Sequence, residues 1–207
     1  MPVAVTALPS QSSLVAPLRA LVALIVKAER RRLGEVAVVL TDDSALRIMN
    51  REWRGIDRAT DVISFAYDED EPDAHKLPIH GDLVVSLDRV IEQAERFRVT
   101  EGAELARLVI HGTLHLCGYD HMEVRERTEM RAHEDRILST AGAVVKKLEK
   151  AFAPVRRKPA AKQRVAKQRV TKKAKPAKKK AAVRRAKAKP VRKAARPKVA
   201  RKRTAKR

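Results

Sequence analysis

"HGTLHLCGYDH", His111 to His121, holds three of the chain's six histidines within one short stretch. Successive residues of an α-helix advance by about 100°, so His111 and His115 stand one turn apart on a common face. Gly118 supplies a natural helix stop and lets the chain turn back, so that His121 reaches the same point from the other side. Three neutral imidazoles without a fourth protein ligand are the pattern of a catalytic zinc, one ion per chain, with a position kept for water. Water held by such an ion has its pKa lowered to about 7. Taken singly, His111 reads as a core residue, His115 as a surface cap and His121 as a loop residue. The spacing of all three, with a helix-ending glycine between, favours the metal. Cys117 would be the fourth ligand of a structural site, but it falls about 200° around the helix from His115 and reads as a small buried hydrophobe. His75, His80 and His133 show no comparable spacing, and His133 reads as an exposed helix residue.

Working outward, strands and helices interleave. "VAVTAL" near the start has the composition of an edge strand. Leu14 to Arg32 places Leu14, Leu18, Leu21, Ile25 and Ala28 at helical spacing, with Pro17 tolerated in the first turn and Gly34 as the stop. Glu35 to Thr41 is a β-rich run. Thr41, Asp42 or Asp43 caps a helix that ends at Gly55. Thr60 to Tyr67 is a strand, "DEDEPDAHKLPIHG" a polar loop, and "GDLVVSL" another strand leading into a helix from Asp88 to about Phe97. Thr100 caps the helix that carries His111 and His115, and Glu101 and Glu104 suit its positive end. A last helix runs from about Met122 towards Lys150. The expectation is an α+β domain: one small mixed sheet packed with about five helices, the metal site on a helix end and the loop after it.

Charge divides the chain in two. Of its 47 Lys and Arg, 26 lie between Arg156 and Arg207, a stretch without Asp or Glu. The remaining 21 basic residues meet 25 acidic ones, so residues 1–155 carry a net charge of −4 while the whole chain carries +22. The expected organisation is a folded domain over 1–155 and a disordered tail over 156–207, since the tail has no aromatic residue and repels itself. Pro159, Pro176, Pro190 and Pro197 interrupt any long helix there, and "KQRV" repeats at 162–165 and 167–170 within low complexity. Such a tail binds polyanions without sequence preference. A solubilising extension is the plainer alternative.

The single Cys117 excludes an internal disulfide and fits a reducing compartment. The longest apolar run, Ala20 to Val26, is short of the roughly 20 residues a membrane span needs, and no small-residue cleavage site follows it. A cytoplasmic protein with no membrane association is expected.

The intervals between the three histidines match the long motif of metzincin peptidases, HExxHxxGxxH. There the residue after the first histidine is the glutamate base. Here it is Gly112, which argues against a peptidase.

The full stretch resembles something more specific, the H-G-x-L-H-L-x-G-Y-D-H signature of the YbeY family of bacterial zinc-dependent endoribonucleases. "NREWRGIDRATDVISFAYD" (Asn50 to Asp68) is similar to that family's N-x-x-[YFW]-R-G-x-D-x-x-T-[ND]-V-L-S-F segment, with Asp61 where Asn is also common and Ile63 in place of Leu. "GDLVVSL" resembles its G-D-I-x-I-S strand. The likeness covers about residues 1–152; the basic tail lies outside it. It implies that His111, His115 and His121 hold zinc and that Arg54 is the functional arginine, its guanidinium fork suited to the charge that builds on phosphoryl oxygens. Without the resemblance, Arg54 reads as a solvent-facing helix end. It also implies single-strand-specific cleavage of ribosomal RNA in maturation of the small-subunit 3′ end and in ribosome quality control. The partners would then be ribosomal RNA, the ribosome or a small-subunit precursor, and ribosomal-protein or assembly-factor contacts. Asp57 and Asp61 have ordinary uses as turn and cap residues. Asp120 either orients the ring of His121 or serves the turn. Ser64 and Trp53 read as packing. No carboxylate stands out as a general base. A histone-like nucleic-acid-binding protein with a structural metal is the competing class, favoured by the tail alone.

Overall fold

The computed structural model describes residues 3–67 and 77–156. The chain divides into a unit over Met1–Lys162 and a second over Gln163–Arg207, and every described residue lies in the first. The expected disorder of residues 157–207, and the loop reading of 68–76 with His75, therefore fall outside the described residues.

Four strands form one mixed sheet in the order β1-β2-β4-β3. β1 (Val3–Thr6), β2 (Leu33–Thr41) and β4 (Ile79–Ser86) run parallel, and β3 (Val62–Ala66) is antiparallel to β4 at the edge. Alternation along β2 buries Val36, Val38 and Leu40 on one side, the period of two that a pleated strand imposes. That side carries the main core. α1 (Val15–Ala28) contributes Leu18, Leu21, Val22, Ile25 and Val26, and α4 (Glu101–Leu116) contributes Leu105, Leu108, Val109, Ile110 and Leu114. Each such side chain, fully buried, stabilises the fold by about 1.5–3 kcal/mol. α2 (Asp43–Arg54) covers the other side through Leu46 and Met49 against Ile63, Val84 and Phe65. α3 (Leu87–Phe97) links β4 to α4.

Local chemistry explains the helix ends. The Asp42 carboxylate accepts the Ala45 N–H at 2.9 Å, and Ser86 and Thr100 cap α3 and α4 in the same manner. Gly55 closes α2 at φ 70°, a left-handed conformation that costs glycine little. A 3₁₀ turn, Pro9–Leu14, precedes α1. Together Pro9–Ala28 is long and apolar enough to cross a membrane by length and composition alone, yet in this fold its buried residues fill the core beneath the sheet.

The single last helix expected from Met122 is two helices, α5 (Val124–Thr140) and α6 (Gly142–Arg156), with fully buried Ala141 at the break. The reason is tertiary. α6 must turn back to cross α4 at Gly102, where an added Cβ would collide with the backbone of Glu149. The break makes six α-helices among the described residues where about five were expected, within the same α+β architecture.

Candidate metal centre

α4 reaches the site after sixteen residues and stops in a double hydrogen bond. The Tyr119 N–H donates to the Leu114 carbonyl at 3.1 Å and the Gly118 N–H to the His115 carbonyl at 2.9 Å, the Schellman pattern, with Gly118 at φ 93°. The reversal aims His121 back at the last two turns. The His111 and His115 Nε2 atoms lie 3.2 Å apart, and ligand atoms of all three histidines fall within 4.8 Å of one another. Two nitrogens bound to one tetrahedral zinc at about 2.05 Å would stand roughly 3.3 Å apart. The donor set therefore fits a transition-metal ion, and the three rings are only partly buried.

Protonation is arranged for this purpose. His111 Nδ1 lies 2.7 Å from Glu134 Oε1 on α5. Burial pushes the Glu134 carboxyl up, but the His111 bond and the charges of His111, Arg107 and Arg131 outweigh it and hold the group below the usual carboxylate range. An ionised carboxylate only accepts, so His111 Nδ1 is the donor of this bond and Nε2 is the ring atom left for an ion. Burial, then the neighbouring His111 and His121, push the His115 pKa down to about 4. That ring is neutral at physiological pH, as a ligand must be.

The loop bearing His121 is tied to the end of α1. The Arg31 guanidinium donates to the Cys117 carbonyl at 2.7 Å, and the Tyr119 hydroxyl donates to Glu29 Oε2 at 2.8 Å. Glu29 also accepts from Arg136 and meets His133 Nδ1 at 3.1 Å, while the His133 ring packs on Tyr119 with centroids 4.5 Å apart. His133 is thus half-buried in an ionic cluster, not an exposed helix residue, because α5 docks against the α1 end. Burial raises the Cys117 thiol to about 12, which keeps it an inert packing group.

Gly112 explains why the peptidase glutamate is missing. Its position faces the sheet, not the imidazoles: an added Cβ would meet Leu83 Cδ2 at 2.9 Å, Ser64 Oγ at 3.1 Å and Val62 Cγ2 at 3.2 Å. The Ser64 hydroxyl donates to the Gly112 carbonyl at 3.1 Å. A glutamate has no room there.

These features, a helix end, a Schellman turn and three converging imidazoles, lie within a longer match. The sequence profile described as Endoribonuclease YbeY covers residues 10–142. The chain belongs to the YbeY family. Among proteins named Endoribonuclease YbeY, that of Desulfitobacterium hafniense is 43% identical over 114 residues, spanning 53% of this chain and 73% of its own. That of Lactiplantibacillus plantarum is 43% identical over 118 residues, spanning 52% and 74%. A solution structure from Thermotoga maritima superposes with a TM-score of 0.49 at 28% identity, over 77% of this chain and 98% of that one.

Within this YbeY chain the other expected residues take different places. Arg54 is the last residue of α2 and is exposed, and no hydrogen bond or ion pair among the described residues joins it to the triad. Asp57 pairs with Arg47 at 2.8 Å in solvent. The Asp61 carboxylate accepts from Gln93 Nε2 at 3.1 Å and from the Val62 N–H at 2.9 Å. Burial raises its pKa, but these bonds and one from Thr60 prevail and hold it low. Gln93 in turn accepts from Arg107, whose guanidinium grips the buried Glu104. Asp120 accepts the backbone N–H of His121 at 2.7 Å, so it serves the turn. Trp53 is 71% exposed and touches Phe65 edge-on, which overturns its reading as packing. Glu134 and Glu29 escaped the sequence reading: neither sits in a local motif with the histidines, and only the docking of α5 and α1 brings them in.

Proposed function

We propose that this chain is a zinc-dependent endoribonuclease specific for single strands, acting in ribosomal RNA maturation at the small-subunit 3′ end and in ribosome quality control. The observation that carries the reading is the convergence of His111, His115 and His121, with two Nε2 atoms 3.2 Å apart, in a chain that matches the Endoribonuclease YbeY profile over 10–142. Zinc held by the three imidazoles would polarise a phosphoryl oxygen and supply hydroxide at neutral pH. The chain's own residues set the stage. Glu134 fixes the His111 tautomer, the Glu29 cluster fixes the loop, and Arg54 offers two guanidinium donors to non-bridging oxygens as charge builds on them. The basic residues 156–207 would add sequence-independent attraction to RNA or the ribosome. The reading places the protein in the cytoplasm, with ribosomal proteins or assembly factors as further partners.

The experiment incubates the full chain with structured RNA, DNA and casein, with and without a chelator. Cleavage of RNA alone, lost on chelation and restored by zinc, is the expected result; metal-independent cutting or digestion of casein overturns it. A cyclic phosphate or 3′-phosphate at the product ends marks attack by the ribose 2′-hydroxyl, and a 5′-phosphate marks attack by water. Arg54→Ala should lower turnover with bound zinc unchanged, and loss of zinc in that variant would refute the role assigned to Arg54.

A further inference from the structure

The chain's single tryptophan is spent on the surface. Trp53 is 71% exposed and Tyr67 61% exposed, an unusual use of large aromatics in a chain that has only six. Trp53 meets the Phe65 ring edge-on with centroids 5.5 Å apart, and Tyr67 follows Phe65 by two residues, just past β3, its N–H still donating to the His80 carbonyl of β4. Asp82 on β4, near the Tyr67 hydroxyl, raises its pKa above the usual phenol range. Arg54 and Arg58 follow Trp53 closely in sequence, both exposed and without a side-chain partner among the described residues, whereas Arg47 and Arg51 are answered by Asp57. Exposed Glu52 is the acidic exception on that helix end.

β3 is the edge strand, and it serves both sides. Phe65 holds Trp53 on one face, while the adjacent Ser64 bonds to Gly112, the residue after His111, on the other. From this we infer that Trp53, Phe65 and Tyr67 form a stacking platform for unpaired RNA bases, with Arg58 on the phosphates, which leads a single strand across the β3 edge to the metal centre. The inference rests on the endoribonuclease reading and deepens it. Planar π faces beside unpaired cations suit a flexible polyanion whose bases are free to stack, and a duplex hides those faces. The platform is thus a source of single-strand preference.

The test uses the full chain with chelator present, so that cleavage does not intervene, at a salt concentration that suppresses attraction by the basic tail. Because Trp53 is the only tryptophan, its fluorescence reports this site alone. A short single-stranded oligoadenylate should quench it saturably, and a duplex of the same length should not. By anisotropy of a labelled oligoadenylate, Trp53→Ala should weaken binding about tenfold and Trp53→Phe much less, with both variants taking up zinc as the parent does. Binding of the oligonucleotide without quenching, equal affinity of Trp53→Ala, or equal quenching by duplex overturns the platform. So does a Trp53 signal that changes with protein concentration alone, which would assign the surface to a second copy. Absent RNA cleavage by the zinc-loaded parent would refute the nuclease reading separately, since quenching is measured without it.

Discussion

His111 Nδ1 and Glu134 Oε1 stand 2.7 Å apart across the α4–α5 interface, 23 residues distant in sequence. Through this bond the ring is oriented with Nε2 toward His115 and His121. A carboxylate behind a metal-binding imidazole is worth 10- to 100-fold in affinity. Glu134→Gln should therefore weaken zinc binding by about that factor in competition with a chromogenic chelator, with far-ultraviolet circular dichroism unchanged. Parental affinity in the variant would remove Glu134 from the centre.

Gly112 packs where the peptidase base would sit. Gly112→Ala should overpack the α4–sheet contact and cost about 1–3 kcal/mol in urea unfolding. Gly112→Glu should be worse and should yield no casein hydrolysis. A stable, proteolytic Gly112→Glu chain would show that this position faces the metal after all.

The depressed pKa of His115 gives a pH dependence with a definite sign. Folding favours the neutral ring, whose pKa is about 4 in the folded chain against an ordinary value of 6.5. The unfolded chain takes up that proton first as pH falls. The stability tied to the neutral ring is complete above the unfolded value and is lost as pH drops from about 6.5 towards about 4. Asp61 and Glu134, held below their usual range, add their own losses at lower pH. Urea midpoints of the chelated chain should fall through this window, and His115→Gln should flatten the descent. An unchanged slope in the variant would assign the effect to other groups.

Removing residues 156–207 takes away 26 cations. The shortened chain should bind single-stranded RNA more weakly at low salt, and the gap should close as salt rises. Its plot of log affinity against log salt should be shallower than the parent's by about 0.7 for each phosphate that the tail neutralises. Zinc-dependent cleavage should survive. Equal affinity of the two chains at low salt would leave the tail without this role.

Much of the architecture was readable because its causes are local. Asp42, Ser86 and Thr100 cap helices by bonds spanning three residues, Gly55 and Gly118 end them, and alternation in β2 follows from the pleat. The continuous helix expected after Met122 failed for a non-local reason, the crossing of α6 over α4 at Gly102. His133 and Trp53 failed in opposite directions. One is drawn into the Glu29 cluster by the docking of α5, and the other is left outside because α2 reaches the sheet through Leu46 and Met49.

What the order of residues determined unaided is the trio of imidazoles, since helical periodicity and one left-handed glycine bring them together within eleven positions. Tertiary structure alone decided how that trio is held and what lies next to it. Glu134, Glu29 and the aromatic edge of β3 come from separate elements, and their approach depends on how apolar faces pack, for which no short stretch of sequence carries the instruction.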